Sequence, residues 1–210
     1  MKEITGKTLN FYKGDVRDHP LLAKIFKEHK IDAAIHFAGL KAVDESYQMP
    51  LAYYDNNLST TLALYQEMDL AGFKNLVFSS SVTVYGASEK PIQAEVAWAV
   101  VLLCYFNPVG SHKSGRIGED PKDIPNNLMP FISKVVVGRG EKLSVFSNDN
   151  DTIDGSGVRD YIHVVDLDKG HVCTAQNLLS NKAIKGVEAD NLGSGTGTSV
   201  LEWARISSSG

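Results

Sequence analysis

An α/β fold built on a parallel sheet with crossover helices is what this sequence predicts, and three observations carry the prediction. Short, nearly continuous apolar runs recur at Ile31–Ala38, Asn75–Phe78 and Val100–Phe106, the pattern of strands covered on both faces. A long stretch with helical spacing, Pro50 to Ala71, lies between the first two. Gly39 closes the first run and Ser79-Ser80-Ser81 follows the second. Strands that alternate with helices give a parallel sheet, and ligands of such sheets sit beyond the carboxyl ends of the strands. Three segments fall at such ends: Gly14-Asp15-Val16, Phe37 to Lys41 and Ser79 to Ser81.

In chain order, Leu9 to Tyr12 reads as a short extended stretch ending at Gly14-Asp15. Pro20 to His29 carries Leu21, Leu22, Ile25 and Phe26 at helical spacing. Ile31 to Ala38 follows as a buried strand. Pro50 suits the first turn of the next helix, its leucines recur at 58, 62 and 64, and Gly72 ends it. Asn75 to Phe78 is a second short strand, running through the serines toward Val82 to Tyr85, and Val100 to Phe106 is one more. From Asn107 to Gly157 the chain is rich in Gly, Pro, Asn and Asp, with one helix-like stretch at Leu128 to Val137. Val164 to Leu179 reads as helical, and Ile206 to Gly210 as a frayed tail.

Composition narrows the functional classes. The 210 residues suit one large domain or two small ones. A net charge of -4 without any Lys/Arg-rich run argues against nucleic-acid or membrane partners. No apolar run approaches the roughly 18 residues of a membrane span. The first twenty residues lack the apolar core of a signal peptide, so a cytoplasmic protein is expected. Cys104 and Cys173 have neither CxxC spacing nor nearby paired histidines. Two buried or half-buried free thiols are expected, with no metal site.

Generic motifs give little. The one dense glycine cluster, Gly193-Ser194-Gly195-Thr196-Gly197, is GxGxG rather than GxGxxG, and a flexible turn is its better reading. Asp149 to Gly155 has the look of a calcium loop, but the positions that need an oxygen ligand and a glutamate hold Ile153 and Asp160. No GxSxG elbow exists for hydrolase chemistry.

Read as words, the segments are informative. His36 to Val43, Tyr53 to Asn57, Phe78 to Gly86, Tyr105 to Gly110, Gly118 to Pro121, Ile124 to Pro130 and Gly157 to Val164 occur in this order. Together they resemble the UDP-glucose 4-epimerases (UDP-galactose 4-epimerases) of the extended short-chain dehydrogenase/reductase family, from about Leu9 to about Leu201. The Phe-Ala-Gly-Leu-Lys and Pro-Asn-Asn-Leu-Met-Pro words are the specific ones. The resemblance implies a doubly wound, NAD-binding Rossmann sheet, here incomplete, over residues 1–109. It implies part of a smaller mixed α/β substrate region over 110–210, with some elements returning to the sheet. It implies NAD as cofactor, UDP-galactose and UDP-glucose as substrates interconverted through a 4-keto sugar, and a homodimer.

The resemblance also assigns residues. Asp15 and Val16 match an adenine-binding pair, and Phe37, Ala38, Gly39 and Lys41 the loop along the NAD phosphates and ribose. A cation beside a pyrophosphate is favourable. Asn56 matches a residue near the cofactor. Ser81 matches the catalytic serine that bonds the sugar hydroxyl. Asn107 matches a sugar-phosphate contact; Asn127, Leu128, Ser144 and Phe146 match uridine-side contacts; Arg159 matches the fork that clamps the diphosphate. Plainer readings stand beside these. Ser79 to Ser81 can simply end a strand, Asn126 can cap a helix, Lys41 can be a solvated lysine, and Arg159 can pair with Asp154.

The sequence departs from the family at several places. The resemblance implies that the chain starts after the family's first strand, Gly-rich turn and first helix, and stops after Trp203 before a distal arginine and aspartate. None of the eight tyrosines has a lysine four places on, so the Tyr-x-x-x-Lys acid/base motif expected between Tyr85 and Tyr105 is absent. Cys104 stands where the family carries arginine. Two functions fit these facts: a 4-epimerase, or a non-catalytic protein that binds a UDP-sugar or pairs with a full-length partner. A UDP-sugar decarboxylase or dehydratase is disfavoured, because those families do not share both specific words.

Overall fold

The structure is a computed structural model that describes residues 2–81, 98–119, 125, 127–140, 142–145, 148–180 and 184–208. It divides into two compact units, Met1–Asp32 with Phe37–Lys74, and Ala33–His36 with Asn75–Gly210.

The first unit is helical: α1 (Lys2–Thr5), α2 (His19–Glu28), α3 (Val43–Gln48) and α4 (Pro50–Leu70). Asp18 caps α2 by accepting the Leu21 N–H at 3.1 Å, and Pro20 occupies its first turn. Pro50 opens α4, and Gly72, at φ +82°, turns the chain away after it. α2 packs on α4, helped by an edge-to-face pair of Phe26 and Phe73 and by His19 Nδ1 lying 2.8 Å from Glu67 Oε1. Thr60, Ala63, Leu64, Glu67 and Met68 are buried along α4, whereas Leu51, Tyr54, Leu58 and Leu62 are all more than half exposed. The extended Leu9–Tyr12 stretch forms no strand; Leu9 and Phe11 are 65% and 78% exposed.

The second unit holds the sheets. Its elements are β1 (Ala34–His36), β2 (Asn75–Ser81), β3 (Ala99–Tyr105), β4 (Asn107–Val109), α5 (Leu128–Val136), β5 (Val158–His163), α6 (Val164–Ser180), β6 (Gly186–Leu192), β7 (Gly197–Ser199) and α7 (Val200–Ser208). Four strands form a wholly parallel sheet in the order β1-β2-β3-β6, the Rossmann-like arrangement that the alternating pattern predicts. Leu76 and Val77 on β2, and Val101, Leu103 and Cys104 on β3, are all within 1% of complete burial. Because side chains of adjacent residues point to opposite faces, both faces of these two strands are covered. Val77, Val101 and Leu103 gather with Leu178 of α6, and Ala175, Ile184 and Leu192 pack around them.

β1 is shorter than its apolar run and lies at one edge of the sheet, with Ile35 38% exposed and His36 buried. It is therefore not the central strand that the composition of Ile31–Ala38 suggests. β2 runs through the three serines, so they belong to the strand rather than to a loop after it. The second sheet joins β4 and β5 in parallel and β5 and β7 antiparallel. α7 reaches Ser208, so most of the expected tail is helical. Val82 to Tyr85 lies outside the described residues.

Candidate functional site

Where β3 passes into β4, the chain leaves the parallel sheet and enters the second one. A cavity of about 240 Å³ opens there, lined by Asn107, Pro108 and Val109 of β4, Asn127, Leu128 and Met129 at the start of α5, Gly157, Arg159 and Tyr161 along β5, and Val200 of α7. Four separate stretches of sequence thus meet in one place. Asn107 is held by its own side-chain amide, which donates to the Asp160 carbonyl at 3.3 Å. Asn127 takes the N-cap position of α5 without a side-chain capping bond. It lines the cavity from that position. Arg159 is exposed and donates one guanidinium N–H to the Val158 carbonyl at 2.8 Å. It does not rest on Asp154, which instead accepts from the Ser199 and Ser156 hydroxyls and the Ser156 N–H.

Tyr161 stands two residues from Arg159 on the same face of β5. Its ring meets Trp203 edge-on at 5.4 Å, and burial pushes its phenol pKa up against the opposing pull of Arg159. Val200 is tied to this side of the cavity by donating its N–H to the Gly157 carbonyl at 3.1 Å. Asp160, between Arg159 and Tyr161, points to the other face. Its carboxylate accepts from the Ser194 N–H at 2.9 Å, the Ser194 hydroxyl at 2.6 Å and the Gly195 N–H at 2.9 Å. Burial acts to raise the Asp160 pKa, but these donors hold it below the ordinary value. The glycine cluster is therefore a turn closed by an internal carboxylate. Gly193 is required there, since a Cβ would come within 2.5 Å of Asp160 Oδ2 and 2.6 Å of Phe106.

Of the substrate-side residues, Asn107, Asn127, Leu128 and Arg159 line the cavity and Ser144 lies exposed away from its lining. Phe146 and Asn126 lie outside the described residues. Ser81 ends β2 opposite Tyr105 of β3; its side chain lies outside the described residues. Two places earlier, Ser79 Oγ and His171 Nε2 are 2.8 Å apart, and His171 Nδ1 is 2.9 Å from the Leu167 carbonyl. The Asp149–Gly155 stretch is a tight turn, with the Asn150 N–H and amide both donating to the Gly155 carbonyl. Among the described residues no group of acidic, histidine or cysteine side chains is arranged to hold a metal ion.

The cofactor-side residues all belong to the first unit. Asp15 accepts from the Arg17 N–H, Nε and Nη2 at 2.8 to 3.0 Å, and this contact lowers its pKa to about 2. Arg17 also reaches Asp55 at 2.8 Å, next to Asn56. Val16 and Asn56 are half-buried; Phe37, Ala38, Gly39 and Lys41 are exposed. The loop they form is pinned by Asn57, which accepts the Leu40 N–H at 2.8 Å and donates back to the Leu40 carbonyl at 3.0 Å. These residues suit the adenosine and ribose parts of a dinucleotide: an ionised acceptor, a pinned backbone loop and a lysine. No Gly-x-Gly-x-x-Gly turn in this sequence supplies N–H groups for the pyrophosphate, so the fit is to part of NAD only.

Sequence reading passed over Tyr161, Met129, Val109 and Val200. Tyr161 was within reach, because strand alternation places it beside Arg159. Met129 lies in the helix that the spacing over Leu128 to Val137 marks, whereas Val109 and Val200 belong to β4 and α7, which no such pattern marks.

Comparison with known proteins gives a consistent set of matches. The sequence profile of the NAD dependent epimerase/dehydratase family matches residues 2–98 and 92–185, two pieces that overlap inside the stretch where Tyr-x-x-x-Lys is expected. The UDP-glucose 4-epimerase of Bacillus subtilis is 50% identical over 233 residues, covering 98% of this chain and 68% of the relative. That span exceeds the 210 residues here, so the relative carries internal residues that this chain lacks. The UDP-glucose 4-epimerase of Bos taurus is 48% identical over 96% of this chain and 66% of its own length. The chain thus spans about two thirds of the length of these relatives. The crystal structure of UDP-glucose 4-epimerase from Bifidobacterium longum in complex with NAD+ and UDP matches with a TM-score of 0.86 at 45% identity, over 99% of this chain and 70% of that one. The enzyme from Stenotrophomonas maltophila, with bound NAD and formylated UDP-arabinopyranose, matches with a TM-score of 0.88 at 40% identity, over 97% and 68%.

Proposed function

Since the chain belongs to the NAD dependent epimerase/dehydratase family and, within it, to the UDP-glucose 4-epimerases, we propose that its cavity holds the UDP part of UDP-galactose or UDP-glucose. The convergence of Asn107, Asn127, Leu128 and Arg159 on one cavity supports this reading. At about 240 Å³ the cavity is below the roughly 300–1,000 Å³ of sites for larger ligands, a size suited to a nucleotide fragment rather than a whole nucleotide sugar. The Asn127 carboxamide offers a donor and an acceptor to the uridine, beside Leu128, and we assign Asn107 to the sugar-phosphate part. The guanidinium of Arg159 offers its planar fork to the diphosphate. Ser81, at the carboxyl end of β2, is the residue we assign to the sugar hydroxyl, and Ser144 and Phe146 to the rim of the uridine side.

NAD, when bound, supplies the hydride acceptor and donor for interconversion at C4 of the sugar. We assign Asp15 and Val16 to the adenine, Phe37, Ala38, Gly39 and Lys41 to the phosphates and ribose, and Asn56 to their neighbourhood. The proton on the C4 hydroxyl needs a base, and the family's Tyr-x-x-x-Lys is not in this sequence. Removing such a group typically lowers a rate by about 10² to 10⁴. Binding without turnover by this chain alone is accordingly the second reading. We divide the chain at residue 109 into a partial NAD-binding region, 1–109, which also supplies Ser81 and Asn107 to the substrate, and a partial UDP-sugar region, 110–210. A homodimer fits the exposed Leu51, Tyr54, Leu58 and Leu62 of α4, which follow one another at helical spacing. No helix among the described residues is long and apolar enough to cross a membrane, and a cytoplasmic setting suits an NAD-using reaction.

The test is a UDP titration followed by NMR, run beside an assay for UDP-galactose to UDP-glucose conversion with added NAD. Saturable UDP binding with conversion at background is the expected outcome. Absence of UDP binding overturns the cavity assignment. Conversion that disappears in Ser81→Ala would restore the enzymatic reading for the chain alone.

A further inference from the structure

We propose that Asp160 is a positioning residue of the cavity: its carboxylate fills the backbone N–H cradle of the Gly193–Gly197 turn and so sets the strand from which Arg159 and Tyr161 reach the ligand. This rests on the UDP reading above. Successive backbone N–H groups in a tight glycine turn form a concavity that binds anions. Here the anion is supplied from within, by the three donors of Ser194 and Gly195.

Asp160 is tied to the cavity in three further ways. Its carbonyl accepts the Asn107 amide, a lining residue. The turn that it closes leads directly into β7, which pairs with β5 at Arg159↔Thr198 and Asp160↔Gly197. After β7 the chain reaches Val200, which also lines the cavity. One carboxylate therefore ties the strand carrying the guanidinium to the turn that leads into β7 and this further lining residue. Ile162, on the same face as Asp160, is buried and anchors the strand from below.

Asp160→Asn keeps the shape but sets an amide NH₂ against N–H donors. The experiment compares UDP with uridine, which lacks the diphosphate, as NMR titrants for the wild type, Asp160→Asn, Arg159→Ala, the double variant and the milder Ser194→Ala. We expect Asp160→Asn to weaken UDP about tenfold while uridine changes less than about twofold, and Ser194→Ala to lie between. The double variant should bind UDP no more weakly than Arg159→Ala, because the two residues act through one contact. A further readout needs no ligand: the Ser194 and Gly195 amide signals should follow the Asp160 titration in the wild type and lose that step in Asp160→Asn. Unchanged UDP affinity in Asp160→Asn, equal loss of UDP and uridine, or additive losses in the double variant would overturn the proposal. A wild-type chain that binds neither UDP nor uridine would instead remove the cavity reading, and this proposal with it.

Discussion

Carboxylates are held differently beside the residues assigned to NAD, in the first unit, and beside those assigned to UDP, in the second. In the first, Arg17 pairs with Asp15 and Asp55 where all three remain substantially open to water, with side-chain exposures of 38%, 50% and 67%. In the second, Asp154 and Asp160 are half-buried and their oxygens accept from hydroxyls and backbone N–H groups of neighbouring turns. Exposed ion pairs gain little, because water and salt screen them. A carboxylate bonded to backbone N–H groups fixes where those groups lie, and leaving them unpaired is costly. The residues assigned to NAD thus lie on a surface organised by weak, screened pairs. Those assigned to UDP on β4 and β5 lie on a framework set by directed hydrogen bonds.

Four tests would break or sharpen this contrast. The largest effect belongs to the sheet: Leu103→Ala removes a side chain with no exposure from the cluster under α6. It should cost about 2–5 kcal/mol in chemical denaturation. Leu58→Ala, on the open face of α4 at 55% exposure, should stay within about 0.5 kcal/mol. A small loss at Leu103 would mean that the sheet is not the stable part of the chain.

Next is the ligand. Arg159→Ala should weaken UDP by roughly ten- to a hundredfold, the loss of one charge-assisted contact. Equal affinity in the variant would place the diphosphate elsewhere.

Acid comes third. The pKa values of Asp154 and Asp160 are both depressed: at Asp154 by the Ser199 and Ser156 hydroxyls, at Asp160 by Ser194 and Gly195 against the effect of burial. Groups with depressed folded pKa contribute stability above the unfolded carboxylate pKa of about 3.9 and lose it as pH falls through the folded value. UDP binding and the dispersion of the Ser194 and Gly195 signals should therefore hold from neutral pH down to about 4 and fade below it. Loss already at pH 6 would point to a histidine instead.

The smallest effect is expected at the exposed pairs. Arg17→Gln should leave the melting temperature within about 2 °C and reduce its dependence on salt. A large loss would show that Arg17 does more than join two surface carboxylates.

Much of this architecture is legible in the residues, for physical reasons that also mark where reading fails. α4 announces itself through Pro50, its leucines and Gly72, and β2 and β3 through apolar runs that only a doubly covered strand needs. β6 does not, because Gly186 to Leu192 interleaves Glu188, Asp190 and Asn191 with its apolar residues. Among the described residues it pairs only with β3, and its composition is that of an edge rather than a core. β5 is concealed likewise by Arg159 and Asp160, the two residues that serve the cavity. The ordered words locate Asn107, Asn127 and Arg159, since chemistry dictates residue type at those points. They do not reveal Asp160, whose partners at 194 and 195 are brought to it only by the pairing of β5 with β7. Nor do they reveal that Cys173 is exposed, against the expectation of a sheltered thiol.

The two cysteines differ in a way that makes the molecule its own recorder. Cys173 is open to solvent, while Cys104 has no exposure and sits in register between Ser80 and Asn191 at the middle of the parallel sheet. A thiol reagent marks the first at the speed of free cysteine and the second only when β3 separates from its neighbours. Counting one adduct or two by mass spectrometry over time therefore measures how often the centre of the sheet opens under native conditions. The fast site in the same chain serves as the zero of that clock.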